Sequence, residues 1–196
     1  MYLGIFNLLS AKRRTLNGYY LVDEEDNEVL LPNKYVPGGM KVGDEISVFI
    51  FKDSEDRITA TTIAPLIMLN EFAVLEVVDI NPVGAFLDWG LEKDLLVPYS
   101  EQNERMNIGK SYPVYLFLDK DSQRLVATCK INRYLEAEDI SVKNGQEVDL
   151  LVCNPTDLGI NVIINNLHRG LIYDNELFQA VSPGERLKGY IKLVRP

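Results

Sequence analysis

Val83-Gly84-Ala85-Phe86-Leu87, then Leu95-Leu96-Val97-Pro98, Gly109, Val114-Tyr115-Leu116-Phe117 and Arg124-Leu125-Val126-Ala127-Thr128 decide the fold. Each run is short, apolar and bounded by turn residues, which is the signature of β-strands rather than helices. The order predicts five strands: Glu71–Ile80, Ala85–Trp89, Leu95–Pro98, Tyr112–Leu118 and Arg124–Ile131. Asn81-Pro82-Val83-Gly84 and Asp119–Gln123 separate them as turns, and a polar stretch, Ser100–Asn107, lies between the third and fourth. Five closely spaced strands of this kind make a small barrel or sandwich.

The same order occurs twice more. Gly18-Tyr19-Tyr20-Leu21, Leu30-Leu31-Pro32, Met40-Lys41-Val42-Gly43 and Val48-Phe49-Ile50-Phe51 each precede their counterparts by 66 residues, as Gly18 precedes Gly84. After one inserted residue, Arg57-Ile58-Thr59-Ala60-Thr61 falls on Arg124–Thr128. A third copy follows 75 residues behind the second, with Gly159-Ile160-Asn161-Val162, Gly170-Leu171-Ile172-Tyr173, Gly184 and Gly189-Tyr190-Ile191-Lys192. A constant offset is the mark of a structural repeat. The reading is all-β, with tandem five-stranded barrels over residues 1–66, 70–135 and 145–196. Pro65–Asn70 and Asn132–Asn144 are the expected linkers, the second carrying a short exposed helix at Leu135–Asp139; Asp174–Phe178 is expected to make one helical turn. Pro196 falls on Asp121 of the second copy, ahead of the closing strand. The third barrel is therefore expected to lack its fifth strand, as in a truncated chain, and to be less ordered or completed from elsewhere.

Composition narrows the function classes. Of 196 residues, 46% are hydrophobic and 25% charged, a normal globular balance. No apolar run reaches the ~18 residues of a membrane span, and Met1–Phe6 carries no basic region of a signal peptide. A cytoplasmic protein without a membrane partner is expected. Cys129 and Cys153 sit in apolar runs and read as reduced and buried. With one histidine, no zinc-type spacing occurs, and neither metal nor cofactor is expected. His168-Arg169 reads as a polar loop, since no nucleophile or carboxylate stands at triad spacing. Catalysis is not expected. The net charge of −9 argues against binding nucleic acid by bulk attraction, so any such contact must be local.

The motifs resemble S1 domains. Val83-Gly84-Ala85-Phe86-Leu87 matches that family's Phe-Gly-Ala-Phe-Val strand, Leu95–Ser100 its Gly-Leu-Val-His-Ile-Ser segment, and Arg124–Thr128 its closing strand. The tandem order, with Leu-Leu-Pro or Leu-Val-Pro in the third strand, is similar to the CvfB (conserved virulence factor B) family. The resemblance implies three OB-fold barrels of the S1 type, RNA binding in a regulatory role, and a following winged-helix domain. Single-stranded RNA is the expected partner; that winged helix or another protein is a further one. The alternative is a protein-interaction scaffold built on the same barrels.

The family's stacking positions are partly kept. Tyr20 and Phe86 hold the second aromatic position, which becomes Asn161 in the third copy; the family's histidine is replaced by Pro32, Pro98 and Tyr173. Strand alternation sends Leu21 and Leu87 inward, and Tyr20 and Phe86 outward where a base can stack. Trp89 shares parity with Leu87 and is expected in the core or at its rim. The candidate RNA contacts are Tyr20, Phe86, Arg57, Arg124, Asn161, Arg169, Tyr173, Lys188 and Lys192. For the cations, pairing with nearby acids is the competing reading.

Overall fold

A computed structural model describes residues 1–177 and 179–195. The strands fall into three sheets. In the first repeat, β1 (Phe6–Thr15), β2 (Gly18–Val22), β3 (Glu28–Pro32), β4 (Glu45–Lys52) and β5 (Ile58–Thr61) form a closed barrel in the order β1-β2-β3-β5-β4. β5 closes it, parallel to β3 at Leu30 and Thr59 and antiparallel to β4. In the second, β6 (Phe72–Asn81), β7 (Gly84–Leu87), β8 (Leu95–Pro98), β9 (Ser111–Leu118) and β10 (Leu125–Thr128) follow the same cyclic order, opened between β8 and β10. The third sheet contains β11 (Glu147–Thr156), β12 (Gly159–Ile164), β13 (His168–Tyr173) and β14 (Arg186–Tyr190) in the order β13-β12-β11-β14. That is the same order without a fifth strand among the described residues. Pro196, on which the expectation of an early end rests, lies outside them.

The repeats share one backbone device. The long first strand of each carries a bulge, after Ala11 in β1, Val77 in β6 and Val152 in β11. The bulge residue is clamped by the turn before the fourth strand. Gly43 N–H donates to the Ala11 carbonyl at 2.8 Å while Ala11 N–H donates to Asp44 at 2.8 Å. Gly109 and Lys110 do the same for Val77, and Gly184 and Glu185 for Val152. Gly43, Gly109 and Gly184 all have positive φ, which explains the recurrence of glycine. A second recurring glycine opens the second strand. A β-carbon on Gly18 would lie 2.0 Å from the Leu31 carbonyl oxygen, and one on Gly159 2.0 Å from that of Ile172.

By contact the chain divides into two compact units. One comprises Met1–Leu69, Trp89–Leu95 and Phe117–Val126; the other Asn70–Asp88, Leu96–Leu116 and the residues from Ala127 onward. In the first unit Leu9, Tyr19, Leu21, Leu31, Val48 and Ile50 fill the barrel. Each such buried side chain contributes roughly 1.5–3 kcal/mol by leaving water. Trp89 is buried and meets Phe49 edge-on. In the second unit one cluster, Val148, Leu150, Val162 and Ile164 with Ile172 and Leu187, lines the inner side of the third sheet. An open cavity of about 920 Å³ borders that side. On the opposite side Leu151, Cys153 and Ile163 pack on Phe72, with Tyr115 and Tyr134 stacked at 3.9 Å beside them.

Two local expectations are corrected. Leu135–Asp139 is not a helix: a 3-10 turn covers Ile131–Arg133, and the Glu136 carboxylate then accepts the backbone N–H groups of Glu138 and Asp139. Such side-chain acceptors compete with helical bonding. His168 is not in a loop but opens β13, 2% exposed, between Ser141 and the Glu136 carbonyl. The expected turn after the third strand is present as a 3-10 turn at Asp174–Glu176, matching those at Asn33–Tyr35 and Tyr99–Glu101; Phe178, included in that expectation, lies outside the described residues.

Candidate nucleic-acid interface

The bulges set which residues face each other across the outer surface of the barrels. In the first repeat the bulge brings Arg13 opposite Tyr20. Tyr20 is half-buried between Tyr19 and Leu21, both buried. The Arg13 guanidinium lies over its ring and is also hydrogen-bonded to Glu28 at 2.7 Å. In the second repeat the same register places Asp79 opposite Phe86. Phe86 is half-buried between Ala85 and Leu87, both fully buried, so it is outward as the alternation predicts. No cation covers its ring among the described residues. In the third repeat the position is Asn161, paired with Leu171 on β13.

Of the five candidate cations, four are held by acids. Arg57 pairs with Asp53 at 2.8 Å and Glu55 at 2.8 Å, and the Asp53 carboxylate raises its pKa. Arg124 pairs with Asp56 within the first unit. Lys188 pairs with Asp149 at 2.7 Å, which raises the lysine's pKa. Lys192 pairs with Glu176. Arg57 thus pairs with acids close to it in sequence, whereas the partner of Arg124 lies 68 residues away. Arg169 is the exception: it is exposed, and no hydrogen bond or ion pair holds its side chain among the described residues. Tyr173 is half-buried under Arg195, 5.9 Å from the ring centre.

Asn161 and Arg169 are therefore brought together, whereas Arg57, Arg124, Lys188 and Lys192 are dispersed in separate ion pairs. Residue 161 and residue 169 have the same parity as Ile163, which pairs with Arg169, so all three share one face of the third sheet. They line a recess of about 190 Å³ together with Cys153, Asn154 and Asn132. Burial pushes the Cys153 thiol up to about 11, with Arg169 pulling the other way. Asn132 and Asn154 were not legible as site residues. One lies in a linker and the other at a bulge, and neither spacing carries a signal. Among the described residues no group of three or more His, Cys, Asp or Glu side chains is placed to hold a metal ion. None of the described helices is long and apolar enough to cross a membrane.

The family model of the S1 domain matches residues 3–63 and 71–130, well over half of the chain. A curated relative, the uncharacterized protein YitL of Bacillus subtilis (strain 168), is 41% identical over 90 residues, 45% of this chain and 30% of that protein. The matched part thus spans under a third of that relative's length. A solved structure of a multidomain protein with nucleic acid binding domains from Streptococcus pneumoniae TIGR4 superposes with a TM-score of 0.58. The match covers 98% of this chain and 70% of that one at 19% identity, a likeness of fold alone. With its closed five-stranded barrel and twice-matched family model, the chain belongs to the S1 domain family.

Proposed function

We propose that this protein binds single-stranded RNA on the outer faces of its barrels, in a regulatory role and without catalysis. The observation that carries the reading is Phe86: an outward aromatic, uncovered by any cation among the described residues, on a second strand whose flanking Ala85 and Leu87 are fully buried. A base stacks on such a ring for roughly 1–3 kcal/mol. Membership of the S1 family and the fold likeness to a protein with nucleic acid binding domains support nucleic acid as the ligand class. The finer reading assigns the chain to the CvfB family, places it in the cytoplasm, and takes residues 1–66, 70–135 and 145–196 as three binding units. A winged-helix domain is the proposed further partner.

Fluorescence anisotropy with labelled homopolymeric RNA, titrated against salt, tests this. Because most candidate cations are already neutralised by acids, few counterions are released. The affinity should fall only shallowly with salt, at about −0.7 per phosphate contacted on a log–log scale. Absence of binding to all four homopolymers would favour the second reading, a protein-interaction scaffold. The net charge of −9 supports that second reading, since an acidic surface suits basic protein partners.

A further inference from the structure

We propose that the recess formed by Asn132, Asn154, Asn161 and Arg169 is a base-reading subsite that takes one unstacked nucleobase of a single strand. This rests on the nucleic-acid reading above and deepens it.

The recess lies wholly within the second compact unit. Its four named groups come from four segments: β12 supplies Asn161, β13 Arg169, the β11 bulge Asn154, and the segment after β10 Asn132. Its apolar wall is Ile131, Leu135, Cys153 and Ile163, held by the cluster around Phe72. At about 190 Å³ it is smaller than the ~300–1,000 Å³ of drug-sized sites. It therefore suits one flat group rather than a whole ligand.

Its uncharged polar side chains are asparagines. Side-chain amides dominate, and an amide offers an acceptor and a donor side by side. That is the pattern needed to read the hydrogen-bonding edge of a base. The amides of Asn132 and Asn161 make no hydrogen bond among the described residues, so both are available. Asn154 donates only a long bond to its neighbour Pro155, at 3.3 Å. Among the described residues no carboxylate lines the recess, and its one charge is Arg169, unpaired among them. In a protein of net charge −9 that is a local opening for an anionic backbone. The planar guanidinium is suited to a phosphate at the mouth. An acidic peptide would satisfy Arg169 but would leave the amides without a flat partner.

The test uses the full chain and ten-nucleotide homopolymers of U, C, A and G. Asn161→Leu keeps the branched shape of the side chain and removes both amide functions; Asn132→Ala removes them outside any strand, in the segment after β10. Each should change the ranking of the four homopolymers by roughly tenfold, the scale of one base-edge contact. Arg169→Gln should instead weaken all four about equally. The side-chain amide resonances of Asn132 and Asn161 should shift on adding the best-bound RNA. Wild-type protein that binds RNA, with rankings unchanged in both asparagine variants and amide resonances unmoved, would overturn the recess alone. Wild-type protein that binds none of the four would overturn the recess and the RNA reading together. Binding of an acidic peptide at Arg169 that excludes RNA would place a protein ligand there instead.

Discussion

The guanidinium of Arg13 lies 3.7 Å from the centre of the Tyr20 ring, opposite which it stands across the β1–β2 ladder. The first barrel thus presents an aromatic already stacked by a cation that Glu28 neutralises. The second barrel presents a bare Phe86 facing Asp79. Equivalent positions are chemically unequal.

Phe86→Ala is therefore expected to weaken single-stranded RNA binding by about tenfold with the fold intact, since a stacking ring contributes ~1–3 kcal/mol. Tyr20→Ala should have a smaller effect, because a base must displace Arg13 or stack above it. Arg13→Ala should unmask Tyr20 and enlarge the effect of its removal. Anisotropy titrations of the single and double variants decide this; equal losses for Tyr20→Ala and Phe86→Ala would show that Arg13 does not shield its partner.

Gly18→Ala should destabilise the first barrel by on the order of 3 kcal/mol, combining strained φ with a clash against backbone. The φ at Gly18 is +146° and the added β-carbon would lie 2.0 Å from the Leu31 oxygen. Gly38→Ala is the control, with nothing within 4 Å of its added carbon. Urea denaturation should show a lower midpoint for the first variant and an unchanged one for the second.

Both thiols should be silent in the native protein. Burial pushes Cys129 up to about 12 and Cys153 up to about 11, from an ordinary 9.0. A thiol reagent at pH 8 should count no reactive cysteine before denaturation and two after it. Because the folded values are raised, the stabilisation from keeping these groups neutral is present below pH 9 and is lost as pH rises through about 11 to 12. Rapid native labelling would contradict the burial.

The third sheet should exchange its amide hydrogens faster than the second. β14 has β11 on one side and no described neighbour on the other, whereas its counterpart β9 lies between β6 and β10. Amides of 186–190 should lose protection before those of 111–118, proline excluded, and β11 should follow β14 by fraying. Equal protection in dilute protein would mean that a further strand covers the edge.

Much of this architecture was readable beforehand, for a physical reason. Gly18, Gly84 and Gly159 stand where another backbone comes within reach of a β-carbon, and Gly43, Gly109 and Gly184 where φ is positive. Few residues meet those demands, so the spacing survives while neighbours differ. The outward face was only half legible. Alternation placed Tyr20 and Phe86 correctly relative to the core. It did not reveal Arg13 above Tyr20, because the extra bulge residue decides which side chains meet. Nor did it reveal the acid partner of Arg124, which comes from Asp56, far away in the chain. His168 was misplaced because a polar pair reads as a loop, whereas its Nδ1 donates to the Glu136 carbonyl and its Nε2 accepts from Ser141, which holds it buried in a strand.

The clamp between the bulge and the glycine turn is made by main-chain atoms on both sides, three times over. It asks for one glycine and leaves the side chain opposite the bulge unconstrained. The repeated unit is thus a mould whose closure does not depend on its outer decoration. Tyrosine, phenylalanine and asparagine occupy the same place in turn on one unchanged frame. Ligand preference can then be rewritten one repeat at a time, each change leaving the hydrogen bonds that shape its barrel untouched.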